Sequence, residues 1–331
     1  MRDFFIRLNW TYRPLAFISF YAFWILIFRL LALSCIAYFT LSPTSHFQDI
    51  TDAWSASEVS VIGLSALLFV SLLCGLYPLT STSLSEVITR KSIERGFLPG
   101  FIQGAFFAGG IVLAFLLSGV YRYLGYFIQL NEAPLEIINI ILRMTALVTL
   151  VFCEEFIFRY KLRKFLSQHL PEKIAVHIVA GCYCLVKILQ FDLGIMHFFT
   201  LYLVSLSLFY RSPDSSQFAK SAGFWAAILI IFQPILSLPI FGNDFSGILL
   251  VKYQPIAKIE DPTDPSHSVI RFLTGGLGGP ISSFTFQLLL ILDICRSIFR
   301  QKKQERLALC LHTSTQLASS NLLPNQDGLL S

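Results

Sequence analysis

The chain has 331 residues, of which 55% are hydrophobic and only 14% charged, with 32 Phe and a mean hydropathy of +0.66. Soluble domains carry about a quarter charged residues, so this composition cannot wet a globule of this size and excludes a water-soluble enzyme. The formal net charge of +5 does not point to a nucleic-acid partner, because the basic residues gather at the ends of apolar runs, where they set membrane orientation.

A hydrocarbon core about 30 Å thick is spanned by about 20 apolar helical residues. Eight stretches approach that length: 15–40, 59–80, 99–121, 135–158, 174–191, 194–210, 219–241 and 282–299. The first follows Arg2, Arg7 and Arg13 as a signal peptide would. Its apolar run is too long, however, and no small-x-small cleavage site follows, so a retained helix is expected. With the N-terminus in the cytosol, Arg122, Lys252, Lys258 and Arg271 fall outside and Arg29, Arg143 and Lys187 within spans. All the other Lys and Arg lie in inside segments. That is the positive-inside distribution, and removing one span would reverse every later loop and spoil it. The expectation is an all-α, polytopic membrane bundle of about eight transmembrane helices filling residues 1–300, with both termini cytosolic.

Residues 242–281 read as a long external loop ending in turns at Gly275–Pro280, and 301–331 as a disordered cytosolic tail, basic at first and then polar. No internal repeat is visible, so sequence symmetry gives no support to an inverted-repeat transporter. The seven cysteines (35, 74, 153, 182, 184, 295 and 310) lie mostly in apolar runs, and their odd number argues against a complete disulfide framework. Cys182 and Cys184 point about 200° apart on a helix and form no ligand pair. No metal or cofactor site is expected from them.

An Arg, Lys or Asp at the centre of a spanning helix costs roughly 2.5–3.5 kcal/mol on insertion scales, so such residues need partners. Arg29, Arg143, Glu154, Glu155, Arg159, Lys187 and Asp293 are the ones to explain. Arg159 is at a helix end and can snorkel, Asp293 can pair locally with Arg296 one turn on, and Arg29 calls for a structural ion pair. Glu154 and Glu155 are different, being two adjacent carboxylates that repel each other near the end of an apolar helix. Glu155 and Arg159 are four apart and can pair, while Glu154 points about 100° away. One carboxylate anchored and its neighbour free to act as a general base on water is an arrangement for chemistry. An interfacial salt-bridge cluster accounts for the same spacing.

Glu154-Glu155-Phe-Ile-Phe-Arg159 resembles the E-E-x-x-x-R motif of the CPBP family, the CAAX-prenyl-protease and bacteriocin-processing intramembrane peptidases. The resemblance covers about 135–241, with the earlier helices matching only in number and the glycines before the last helix matching weakly. It implies a bundle of about eight helices, with Glu154 as base and Glu155 and Arg159 as its support. The family's F-x-x-x-H then falls on Tyr183-Cys-Leu-Val-Lys187, with Lys in the His slot. Its third motif follows Gly223-Phe-Trp-Ala-Ala-Ile and falls near Ile231 and Ile235, where Gln233 is the only amide. His197, like His177, is a nearby alternative in a shifted register. The resemblance leaves a metal requirement undecided.

Lys187 needs a counter-charge, and the acidic pair on the preceding helix supplies one. A Lys–Glu–Arg network would be structural; a Lys187 that holds an oxyanion would be catalytic. Two functions therefore follow. One is an intramembrane endopeptidase cutting a membrane-anchored peptide or protein, with impaired catalysis where the histidines are replaced. The other is a non-catalytic relative that binds or regulates such a partner. An unrelated transporter-like bundle, with Arg29, Arg143 and Asp293 lining a polar path, is a third reading. All of them imply contact with membrane lipid, and short loops together with the resemblance imply a bacterial inner membrane.

Overall fold

A computed structural model describes residues 10–40, 67–71, 89, 92–126, 133–191, 197–212, 217–240, 247–254 and 265–320. Helix α1 is Tyr12–Thr40. Helix α2 is Leu98–Leu117, entered through a π turn at Ile93–Phe97. Its second residue is Pro99, whose missing N–H is harmless in a first turn, and it ends at Ser118-Gly119, where Gly119 takes φ 73°. Helix α3, Ala133–Glu155, runs on through a π segment, Phe156–Leu162, into the short α4, Arg163–Ser167. Pro171 and Glu172 then start α5, Glu172–Phe191. Helix α6 is His197–Arg211, and α7 is Phe218–Ile230, closed by a π turn at Ile231–Ile235 that contains Pro234. Helix α8 is Pro265–Thr274 and α9 is Phe284–Ser320.

The molecule is mostly helical, and among the described residues three stretches are long and apolar enough to cross a membrane: Ile93–Leu117, Glu136–Ser167 and Phe218–Ile235. The apolar window of the third is 72% buried, against 33% and 28% for the other two, which makes α7 the central helix. The outer helices leave large apolar side chains uncovered, among them Ile102, Phe106 and Leu117 on α2 and Ile138 and Ile141 on α3, as lipid-facing helices do.

Several expectations from the sequence are corrected. The structure is not wholly α: strand β1, Tyr121–Tyr126, pairs antiparallel with β2, Leu249–Tyr253, across a bulge between Tyr123 and Gly125. Part of the external loop is therefore a strand, and another part is α8. The basic loop expected after residue 158 is helix as far as Ser167, because the π segment carries the chain past the end of the apolar run. The tail read as disordered from 301 is helical through Ser320, and 321–331 lie outside the described residues. The stretch 59–80 is described only at 67–71, which is helical.

The closest packing joins α2 to α7. Gly96, Gly100, Gly104 and Ala108 recur every four residues and form one stripe. A Cβ on Gly100 would run into the carbonyl oxygen of Lys220, one on Gly104 into that of Phe224, and one on Gly223 into that of Phe97. Backbone meets backbone there, the small-residue mode by which helices associate in lipid. Around this seam lies one apolar core, with Phe115, Val151, Val204, Phe224, Phe232 and Phe286. A second core joins α1, the π segment and α5 through Phe17, Tyr21, Phe158, Leu162, Val179 and Tyr183.

Candidate functional site

Glu154 and Glu155 are the last residues of α3 before the π segment, between Val151 of the first core and Ile157 of the second. A π segment puts five residues where an α-helix has four between hydrogen-bonded groups, which changes which side chains face inward. All seven residues of Phe156–Leu162 are buried, Arg159 and Lys161 included. Arg159 has no solvent exposure, so it does not snorkel as its position near a helix end suggests. Glu154 and Glu155 are equally enclosed, at 1% and 0%.

The two carboxylates have separate cations. The Lys187 ammonium on α5 is 2.7 Å from Glu154 Oε1 and 2.6 Å from Oε2, so it spans both oxygens. Gln190, one turn on, donates from Nε2 to Glu154 Oε1 at 3.1 Å and to the Tyr21 hydroxyl at 3.3 Å. Tyr21 in turn shares a 2.7 Å hydrogen bond with Ser71. Glu155 lies 3.4 Å from Arg159 Nη1. Arg159 donates from Nη2 to the Ser205 hydroxyl on α6 at 3.0 Å and lies 4.4 Å over the Tyr183 ring. Ser221 on α7 faces Glu155, but its hydroxyl donates to the carbonyl of Phe218 at 2.7 Å. Among the described residues neither oxygen of Glu155 receives a hydrogen bond, and the Tyr183 hydroxyl has no partner.

Two carboxylates face two cations, so with all four ionised their charges balance without any further ion. That balance matters in a medium where a lone buried charge costs several kcal/mol. It also answers the metal question raised by the resemblance. The place a metal would take on Glu154 is held by an ammonium, and no group of three or more His, Cys, Asp or Glu comes together among the described residues. The donor set does not fit a metal ion.

Of the residues singled out in the sequence, Glu154, Glu155, Arg159, Lys187 and Tyr183 are brought together. The ion pair expected between Lys187 and the acidic pair is present, but Glu154 is not the free member of that pair. His197 opens α6, eight residues before Ser205 and so about 12 Å along the helix from the arginine contact. Gln233 is twelve residues beyond Ser221, about 18 Å along α7, and the same displacement removes the Ile231 and Ile235 slots. The helix faces the carboxylates with its first turn and not with its end. Asp293 is also corrected: it pairs with Arg211 of α6 at 2.6 Å and accepts from Ser207 at 2.6 Å, and Arg296 is not its ion-pair partner. Arg143 is half-buried on α3 facing Glu136, and the side chain of Arg29 lies outside the described residues.

Gln190, Tyr21, Ser71 and Ser205 belong to the network and were not read from the sequence. Gln190 has a signal, since it lies one turn from a lysine inside an apolar helix. The other three are ordinary residues of apolar spans until the helices are assembled. No protein-family model, curated protein or solved structure matches the chain.

Proposed function

We propose that this is a multi-pass membrane protein related to the CPBP intramembrane peptidases, in which the peptidase centre has become a structural ion network. In this reading the chain binds or regulates a membrane-anchored peptide or protein without hydrolysing it. It has about eight spans with both termini cytosolic and resides in a bacterial inner membrane.

The relationship is supported by the Glu154-Glu155-x-x-x-Arg159 pattern in an apolar helix and by the meeting of the next helix's Tyr183 and Lys187 with it. The loss of hydrolysis rests on one observation: both oxygens of Glu154 lie within 2.7 Å of the Lys187 ammonium, in a site 1% exposed. A general base needs a lone pair directed at a water, within about 2.6–3.2 Å of the proton it takes. Glu154 has its charge spent on Lys187 and an amide of Gln190 on the same oxygen.

The test is a panel of prenylated and leader-peptide membrane substrates presented to the full chain in proteoliposomes. The expected result is no cleavage above background. Cleavage abolished by Glu154→Gln and untouched by Asp293→Asn would overturn the non-catalytic reading. Reporter fusions after residues 45, 85, 128, 170, 192, 214, 260 and 310 test the span count and orientation, and any pair of consecutive fusions reporting the same side would break it.

A further inference from the structure

A second polar cluster lies on the opposite side of α6. Ser205 and Ser207 are two residues apart and point about 200° from each other, so one meets Arg159 and the other Asp293. Asp293 is fully engaged: Arg211 takes one oxygen at 2.6 Å and Ser207 the other at 2.6 Å. Arg211 is fixed further by Gln103 Oε1 of α2 at 3.0 Å and by the Phe224 ring, 3.5 Å from its guanidinium carbon. Around this neutral pair stand three more cations. Arg296 and Arg300 lie three and seven residues after Asp293, on one stripe of α9. Gln301 donates to the Tyr210 carbonyl at 3.1 Å, which holds that turn of α9 against the end of α6. Lys220, in the first turn of α7, has Arg211 and Arg300 as like-charged neighbours and Asp293 as an oppositely charged one. Lys220 is partly buried, while Arg296 and Arg300 are exposed.

Among the described residues these like charges, gathered by three helices, share one carboxylate, Asp293, which Arg211 already pairs, so they repel one another unless an anion joins them. The flank of α9 beside them is apolar and uncovered, with Leu288, Ile291, Leu292 and Phe299 exposed. A soluble phosphate has no use for such a flank, whereas an acyl chain lies along it. We infer that Lys220, Arg296 and Arg300, at the meeting of α6, α7 and α9, bind the phosphate headgroup of an anionic phospholipid whose chains run along α9. The site is separate from the carboxylate pair and does not depend on whether that pair hydrolyses anything. Basic pockets between membrane helices select anionic headgroups, each Lys or Arg contributing about fivefold in affinity.

The experiment is native mass spectrometry of the full chain released from nanodiscs holding equal phosphatidylglycerol and phosphatidylcholine. The wild type is expected to retain phosphatidylglycerol in preference. Lys220→Gln with Arg300→Gln should weaken that preference roughly thirtyfold, and Arg300→Gln alone, at an exposed position, roughly fivefold. Lys302→Gln with Lys303→Gln removes the same charge one turn on and should leave it unchanged, and Lys220→Arg with Arg300→Lys should keep most of it. Inorganic phosphate at millimolar concentration should not displace the lipid. No preference in the wild type, equal losses in the two charge-matched doubles, or displacement by inorganic phosphate would overturn the assignment, the last in favour of a soluble anion.

Discussion

The seam between α2 and α7 and the junction between α3 and α5 hold apolar helices together by opposite means. Lipid tails are as apolar as leucine, so in a bilayer neither contact gains from burying hydrocarbon as it would in water. At the seam, Gly100, Gly104 and Gly223 remove side chains altogether and let backbones touch. At the junction, Glu154, Glu155, Arg159 and Lys187 bring charges that lipid will not accept and satisfy them only against each other. The first contact is specified by shape and tolerates no added atom. The second is specified by charge, and it tolerates losing a pair better than losing one member.

The sharpest way to break this comparison is to fill the seam. Gly104→Leu or Gly223→Leu drives a Cβ into a carbonyl oxygen that no rotamer change can move away. The loss should exceed the roughly 1–3 kcal/mol of ordinary overpacking and leave little monodisperse protein on size-exclusion chromatography. Next in size is Lys187→Met, which strands a buried carboxylate at a cost of about 3–5 kcal/mol. Adding Glu154→Gln should recover most of that stability in a membrane unfolding assay, and a double variant as unstable as Lys187→Met alone would show that the pair is more than charge balance. Gln190→Leu removes two hydrogen bonds but no charge, so a loss of roughly 0.6–1.7 kcal/mol is expected in the same assay. The smallest effect belongs to Tyr183→Phe. The ring stays under Arg159 and the hydroxyl has no partner among the described residues, so a change beyond about 0.5 kcal/mol would mean that the hydroxyl is engaged.

The sequence carried the charged junction more clearly than the glycine seam, for physical reasons. A lone ammonium in an apolar run is expensive, so Lys187 announces a partner, and the four-residue spacing of Glu155 and Arg159 names one. Gly96, Gly100 and Gly104 carry an equally regular signal, but small residues are inexpensive everywhere, and only a facing helix gives their spacing meaning. Arg296 was the natural partner for Asp293 because sequence shows neighbours along one helix. Arg211 comes from another helix and wins in three dimensions. Outside 59–80, which is described only at 67–71, each apolar run holds a helix, and α3 overran its apolar stretch because nothing in Phe156–Leu162 marks a π segment in advance. Cations that read as a loop therefore proved to be the buried end of a helix, with Arg163 over the Phe209 ring and bonded to the Ser212 carbonyl.

The Tyr121 hydroxyl donates towards the carbonyls of Thr274 and Gly276, which lie 153 and 155 residues later in the chain. Beside it, β1 waits for β2 across the whole run from α3 to α7. At a ribosome adding roughly 5–20 residues per second, that interval lasts roughly six to twenty-five seconds. During it the nascent strand has unpaired backbone and exposed tyrosines. A chain stalled or cut before residue 249 can therefore insert its first helices yet never fasten this clasp, and quality-control proteases would meet it with the clasp open.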